Sequence, residues 1–224
     1  MTHMRRLAAE AIGTAGLLAI VVGSGIMAAK LAAGNLGIAL LANAIATGLG
    51  LFVLISVFAP VSGAHFNPIV SAMALRDGDL SLTMFAAYVA TQACAAIAGT
   101  WLAHAMFESP VLELGVQRRT GAAQLLSEGV ATFGLVMTIR GMANRGSSFV
   151  GAAVGAYIAA AYWFTASTSF ANPAVALARS LTTTFAGIAP QDVLPFVGAQ
   201  IVGGVLGYLT ARRVLDQEPS DSAA

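Results

Sequence analysis

Charge is scarce in this sequence. Of 224 residues only 9% are Asp, Glu, Lys or Arg, and 11 cations nearly balance 10 anions for a net charge of +1. A chain with so little polar side-chain area cannot coat a water-soluble globule, and it offers no cationic footprint for nucleic acid. Cysteine is nearly missing too. Cys94 stands alone, which excludes an intrachain disulfide, and one Cys with three His is too thin a supply for a metal site. No nucleophile, base and orienting group cluster, and no glycine-rich phosphate loop follows a strand pattern, so neither an enzyme nor a bound cofactor is expected. What fills the sequence instead is apolar: 58% of residues are hydrophobic and 24 are Gly. Such a chain belongs in a bilayer.

A spanning helix needs roughly 20 apolar residues to cross about 30 Å of hydrocarbon. Suitable stretches run Leu7 to Ala28, Leu36 to Phe58, Leu82 to Phe107, Gly121 to Met142, Phe149 to Ala166 and Val193 to Leu215. The pattern predicts an all-α membrane protein with six transmembrane helices in a single domain, 1–215, and a disordered polar tail, 216–224. The first run follows Arg5 and Arg6 as a signal peptide would, but Glu10 interrupts it and more runs follow, so it reads as a retained span. Two connections break the plain scheme: Ala59 to Leu75 and Ser167 to Leu181 are long, apolar and each contain Asn-Pro. Asn suits a helix N-cap and Pro the first helical position, which predicts half-helices from Pro68 to about Leu75 and Pro173 to about Leu181. Neither can span. Irregular backbone at membrane depth survives only when it is buried in protein or lines a water-filled cavity, so these re-entrant segments should border a pore.

The two segments are copies. SGAHFNPIVSAM around Asn67 aligns with STSFANPAVALA around Asn172 at an offset of 105 residues, AEAIGTAG with SEGVATFG, and YVATQACAAIAG with FVGAQIVGGVLG. Glu10 thereby pairs with Glu128 and Gln92 with Gln200, in halves of about 1–107 and 121–215. Three spans per half is an odd number, so the second copy enters the membrane inverted. The half-helices then approach from opposite faces, and their N-termini, each carrying a partial charge of about +0.5, meet near the midplane. Cations and protons are repelled there, while the amides of Asn67 and Asn172 offer N–H donors to a neutral hydroxylated solute.

On these paired Asn-Pro triplets and the matched ExxxT motifs, nearly all of Arg6 to Arg213 resembles the aquaporin and aquaglyceroporin (major intrinsic protein) family. The resemblance implies a passive channel assembled as a homotetramer in membrane lipid, with one pore per subunit. It also implies an outer selectivity filter of four residues, set twenty before the first motif Asn, twelve and three before the second, and an Arg three after it. Counting without gaps gives Thr47, Ala160, Ser169 and Val175. The Arg is absent and the four side chains are small, which predicts a wide filter passing small neutral solutes. GAYIAAAYWFTASTSFANPAVALAR is similar to bacterial members linked to arsenic handling, so arsenous acid and methylated arsenicals join glycerol-like polyols among the expected solutes; a water-selective or general aquaglyceroporin is the alternative. Ile69, in place of the first motif's Ala, departs again and should reshape the pore's inner half.

Several residues keep two readings. Arg179, four beyond Val175, either holds its guanidinium over the pore mouth or is a plain helix C-terminal cation. Glu10 and Glu128 are ionisable groups inside spans; the resemblance implies that they hold the re-entrant loops, whereas a proton-coupled transporter would use them as carriers. His65 either lines the inner vestibule or satisfies a loop hydrogen bond. Gln92 and Gln200 read as bundle glue bonded to the loops, Tyr162, Trp163 and Phe164 as an interfacial belt, and His3 and His104 as incidental. Seven cations (Arg5, Arg6, Arg76, Arg140, Arg145, Arg212, Arg213) fall on the N-terminal face against four (Lys30, Arg118, Arg119, Arg179) on the other. Both termini are therefore expected in the cytoplasm, with the protein in the inner (plasma) membrane.

Overall fold

The computed structural model describes residues 2–143 and 146–215, so the tail 216–224 and Arg145 lie outside the described residues. Among the described residues there are eight helices and no strand: α1 (His3–Leu31), α2 (Leu36–Ser62), α3 (Pro68–Asp77), α4 (Leu82–Met106), α5 (Ala122–Met142), α6 (Ser147–Phe164), α7 (Pro173–Arg179) and α8 (Pro190–Val214). Of these, α1, α2, α4, α5 and α8 are long and apolar enough to cross a membrane. The remaining full helix, α6, has 18 residues, about 27 Å at 1.5 Å per residue, and its apolar stretch Phe149–Phe164 lies within that length. Helices α3 and α7 are the two half-helices. Each opens on an Asn whose side chain accepts a backbone N–H of the first turn, with Pro at the first helical position. The chain is an all-α membrane protein of the architecture its repeat implies.

Packing follows the repeat. Helix α1 lies against α4 and α2, α5 lies correspondingly against α8 and α6, and α2 meets α6 between the halves. These approaches are close because glycines face backbone. A Cβ on Gly155 would strike the Gly48 carbonyl across the α2–α6 seam, one on Gly99 would strike Ala15 in α1, and one on Gly203 would strike Gly129 in α5. With no hydrophobic force between helices in lipid, such small-residue seams supply the van der Waals contact that holds them together.

The interior is more polar than the surface. Glu10, Glu128, Gln92, Gln200, Asn43 and His104 are all buried, whereas Leu36, Leu49, Val53, Leu102, Leu194 and Val205 are exposed around the outside. Lipid can solvate the second set and not the first. Ile69 belongs to neither the pore nor the lipid face. It packs with Met73, Val136 and Tyr208 and fills the space over Gly204, whose added Cβ would lie 2.6 Å from its Cγ2. The expectation that Ile69 reshapes the pore is corrected: the side chain turns into the seam with α5 and α8. His104 is not incidental either. It is fully buried, and its ring nitrogens meet Thr182 Oγ1 at 2.8 Å and the Val111 carbonyl at 3.4 Å, tying the end of α4 to the connections that follow α4 and α7.

Candidate pore

One cavity runs between the halves, from Val70 and Ile139 at the face holding both chain ends to Thr47 and Arg179 at the other. Its wall is built from helical stripes. Thr47, Leu51 and Ile55 of α2 face it, as do Val150, Val154, Ile158 and Tyr162 of α6, each set spaced by four residues. Most of this wall is apolar, so the polar groups in it are conspicuous by position.

The first polar group set is central. Asn67 Nδ2 donates to the Ala171 carbonyl at 2.8 Å, and Asn172 Nδ2 donates to the Phe66 carbonyl at 2.7 Å. The side-chain oxygens cap their own helices: Asn67 Oδ1 accepts from Ile69 N, and Asn172 Oδ1 from Ala174 N and Val175 N. Each amide thus spends one hydrogen on the opposite loop and keeps a second, and both residues line the cavity. The half-helix N-termini and the two asparagines meet at one place, as the inverted repeat requires.

The loops before each Asn are strained and held. Ala64 and Phe66 in the first, and Thr168, Ser169 and Ala171 in the second, have φ between 49° and 60°, a left-handed conformation unfavourable for residues with a Cβ. Glu10 compensates by accepting from His65 N, Phe66 N, Ser62 Oγ and Gln92 Nε2 at 2.7–2.9 Å. Glu128 does the same with Phe170 N, Ala171 N, Ser167 Oγ and Gln200 Nε2 at 2.6–2.9 Å. Neither carboxylate borders the cavity. Gln92 and Gln200 bond the carboxylates rather than the loops themselves, a shell that matched positions alone did not reveal. His65 combines its two readings: it borders the cavity while its Nδ1 pairs with Ser71 Oγ at 3.1 Å and its ring stands edge-on to Tyr88.

At the end of the cavity away from the chain termini the ungapped count fails at one position. Ala160 is exposed on the lipid side of α6, and Tyr162 faces the cavity in its place, buried, with Oη 3.3 Å from Thr47 Oγ1. The cause is the pore-facing stripe of α6, which falls on 158 and 162; two residues is about 200° around a helix, so 160 points away. Tyr162 therefore leaves the expected interfacial belt, while Trp163 and Phe164 remain exposed as that belt requires. Thr47, Ser169 and Val175 do line the cavity. The predicted wide, small-residue constriction is corrected accordingly, since an aromatic ring and its hydroxyl occupy one side. Arg179 also lines it, buried, with its guanidinium carbon 3.4 Å from the Phe170 ring centroid and Nε donating to the Ala186 carbonyl.

The connection between the halves is bonded to the segments on either side of α7 and to the start of α8. Gly115 N donates to the Ser180 carbonyl and Ala189 N to the Gln117 carbonyl, both at 2.7 Å. Arg118 Nε meets Asp192 Oδ2 at 3.0 Å. Arg119 Nε donates to the Gly187 carbonyl at 2.8 Å and Nη1 to the Ser167 carbonyl at 3.1 Å. Burial lowers the Arg119 guanidinium from its ordinary range, with Glu128 opposing the shift. These partners lie 48 and 68 residues away in sequence, and no local signal marks them. Among the described residues no cluster of His, Cys, Asp or Glu could hold a metal ion.

A lumen crossed at its middle by two asparagine amides, between halves of inverted topology and with its carboxylates locked in loop support, defines a transmembrane channel for small neutral solutes. The chain belongs to the major intrinsic protein family: that family's model matches residues 1–209. It is a channel and not an enzyme. It is 55% identical over 211 residues to aquaglyceroporin AqpS of Rhizobium meliloti (strain 1021), covering 94% of this chain and 90% of that one. It is 32% identical over 223 residues to aquaporin TIP4-4 of Zea mays, covering 92% and 85%. Among solved structures, the aquaglyceroporin from Plasmodium falciparum superposes with a TM-score of 0.74 at 21% identity, covering 95% of this chain and 97% of that one, which speaks for the fold.

Proposed function

We propose that this channel conducts small hydroxylated neutral solutes passively, glycerol-like polyols and trivalent metalloid hydroxides such as arsenous acid. The observation that carries the reading is the pair of spare amide hydrogens on Asn67 and Asn172 in an otherwise apolar lumen. A hydroxylated solute regains there the hydrogen bonds it loses with water, while two half-helix dipoles oppose a cation at the same point. Arsenous acid, neutral at pH 7 with three hydroxyls, presents much the same pattern as glycerol, and the 55% identity to a protein called an aquaglyceroporin supports the polyol half of the reading. Thr47, Tyr162, Ser169 and Val175 form the outer filter in this reading, Glu10 and Glu128 support the pore loops, and His65 faces the inner vestibule. The working form is a homotetramer in the inner (plasma) membrane with both termini cytoplasmic, an orientation favoured by seven cations against four.

Swelling of proteoliposomes in water, glycerol, urea and arsenous acid gradients tests the reading. Glycerol and arsenous acid should enter down their gradients at rates indifferent to a pH gradient. Flux that requires the pH gradient would instead make Glu10 and Glu128 carriers, and flux of water alone would return the alternative of a water-selective pore.

A further inference from the structure

We propose that Arg179 is the cationic specificity residue of this pore, supplying from the last turn of α7 the guanidinium that position 175 lacks. The inference rests on the channel reading above and assigns the outer constriction's charge to one side chain.

Arg179 is 2% exposed, yet it borders the cavity. Its position is fixed from two sides. Nε donates to the Ala186 carbonyl, and the guanidinium lies over the ring of Phe170, a residue whose ring is itself held edge-on by Phe196 at 5.3 Å and whose backbone N–H is held by Glu128. The two terminal nitrogens take no hydrogen-bond partner among the described residues, and neither is sealed in the protein interior. Arg179 and Ser169 border the same cavity, and the buried Ser169 hydroxyl is also unpartnered. An ordered cation with free N–H donors is what a passing hydroxyl can use and what a passing cation meets as a barrier.

Service to the α7 dipole does not explain this placement. A cation recruited by the dipole alone would bond the last carbonyls of its own helix or stay in water. Arg179 instead bonds a carbonyl in the following connection, is withdrawn from solvent and stacks on an aromatic face. A second guanidinium reinforces the field: Arg119 sits 5.0 Å from the same Phe170 ring, its nitrogens turned to loop carbonyls. Val175 lies one helical turn away, about 6 Å back along α7, so the guanidinium stands one turn further along the same half-helix.

The test uses urea and guanidinium ion, a neutral and a cationic solute of nearly the same size and shape, with the full chain in proteoliposomes. The wild type should pass glycerol and urea and exclude guanidinium. Arg179→Gln keeps an N–H for the Ala186 carbonyl but drops the charge, and the guanidinium-to-urea permeability ratio should rise about tenfold or more. Val175→Arg added to Arg179→Gln should bring the ratio back down. An Arg179→Gln protein that conducts urea and still excludes guanidinium like the wild type overturns the proposal. If that variant does not fold, Arg179→Lys carries the test. The charge remains while the flat fork is lost, so exclusion should persist and the urea-to-water ratio should fall at least threefold; an unchanged ratio sinks the idea. Absence of any glycerol or urea flux in the wild type would overturn the channel reading itself, a failure visible before any substitution is compared.

Discussion

At the scale of single residues, Tyr162 separates what spacing can say from what it cannot. The family resemblance marks a pore-facing residue near the end of α6 by its distance from Asn172, and that distance selects Ala160. The actual count depends on how many residues the chain spends between the end of α6 at Phe164 and Asn172, and a rotation of about 200° separates the right answer from the wrong one. Only the helix's own phase, fixed by where Val150, Val154 and Ile158 face, resolves it. Tyr162→Ala removes the ring that narrows the outer end, so glycerol permeability should rise about threefold or more relative to water in swelling assays. Tyr162→Phe keeps the ring and loses one bond to Thr47, a cost of about 1 kcal/mol in thermal unfolding with the glycerol-to-water ratio unchanged. A Tyr162→Ala protein with wild-type ratios would move the constriction elsewhere. Asn67, Asn172, Glu10 and Glu128 were legible because their roles are written twice in the chain. Arg119, Phe170 and His104 are each written once, and the repeat that marks the asparagines and carboxylates gives no second copy to announce them.

At the scale of elements, the half-helices were readable at their starts and less so at their ends. Asn-Pro fixes the first turn through capping chemistry that needs no tertiary context. Helix α3 runs on to Asp77, where Gly78 with φ 87° closes it, while α7 stops at Arg179, short of the expected Leu181, as Ser180 N turns back to the Leu177 carbonyl. The first ending has a glycine to signal it; the second has none and closes in tight turns, Leu181 N bonding the Ala178 carbonyl. Ile69 teaches a related lesson. It looked like an intrusion on the pore because its counterpart in the second motif is Ala174, yet its partner is a glycine in a different element. That pairing predicts a non-additive cycle. Gly204→Ala alone forces its Cβ onto Ile69 and should cost about 1–3 kcal/mol by overpacking, and Ile69→Ala alone should cost about 2–5 kcal/mol by leaving a cavity. In the double variant the new methyl has room, so the combined loss should fall below the sum by at least about 1 kcal/mol. Thermal unfolding in detergent reads all three, and strict additivity would place Ile69 away from Gly204.

At the scale of the whole molecule, the repeat makes the two pore loops depend on each other. Asn67 needs the Ala171 carbonyl and Asn172 needs the Phe66 carbonyl, and each carbonyl is aimed by left-handed backbone whose N–H groups the carboxylate of its own half accepts. Removing Glu128 therefore deprives the second loop of three hydrogen bonds and, through Ala171, deprives the first half's asparagine of its partner. Glu10→Ala should do the mirror image through Phe66. Either substitution leaves buried donors unsatisfied at roughly 1–3 kcal/mol each, so water and solute fluxes should fall together rather than shift in ratio. Because the two losses share the central crosswise pair, the double variant should be destabilised by less than the two single losses added, by about 1 kcal/mol or more. Two loops that hold their asparagines independently would give additive losses and would leave one half's pore lining intact after the other half fails; unfolding midpoints of the two single variants and the double, measured in the same detergent, decide between them.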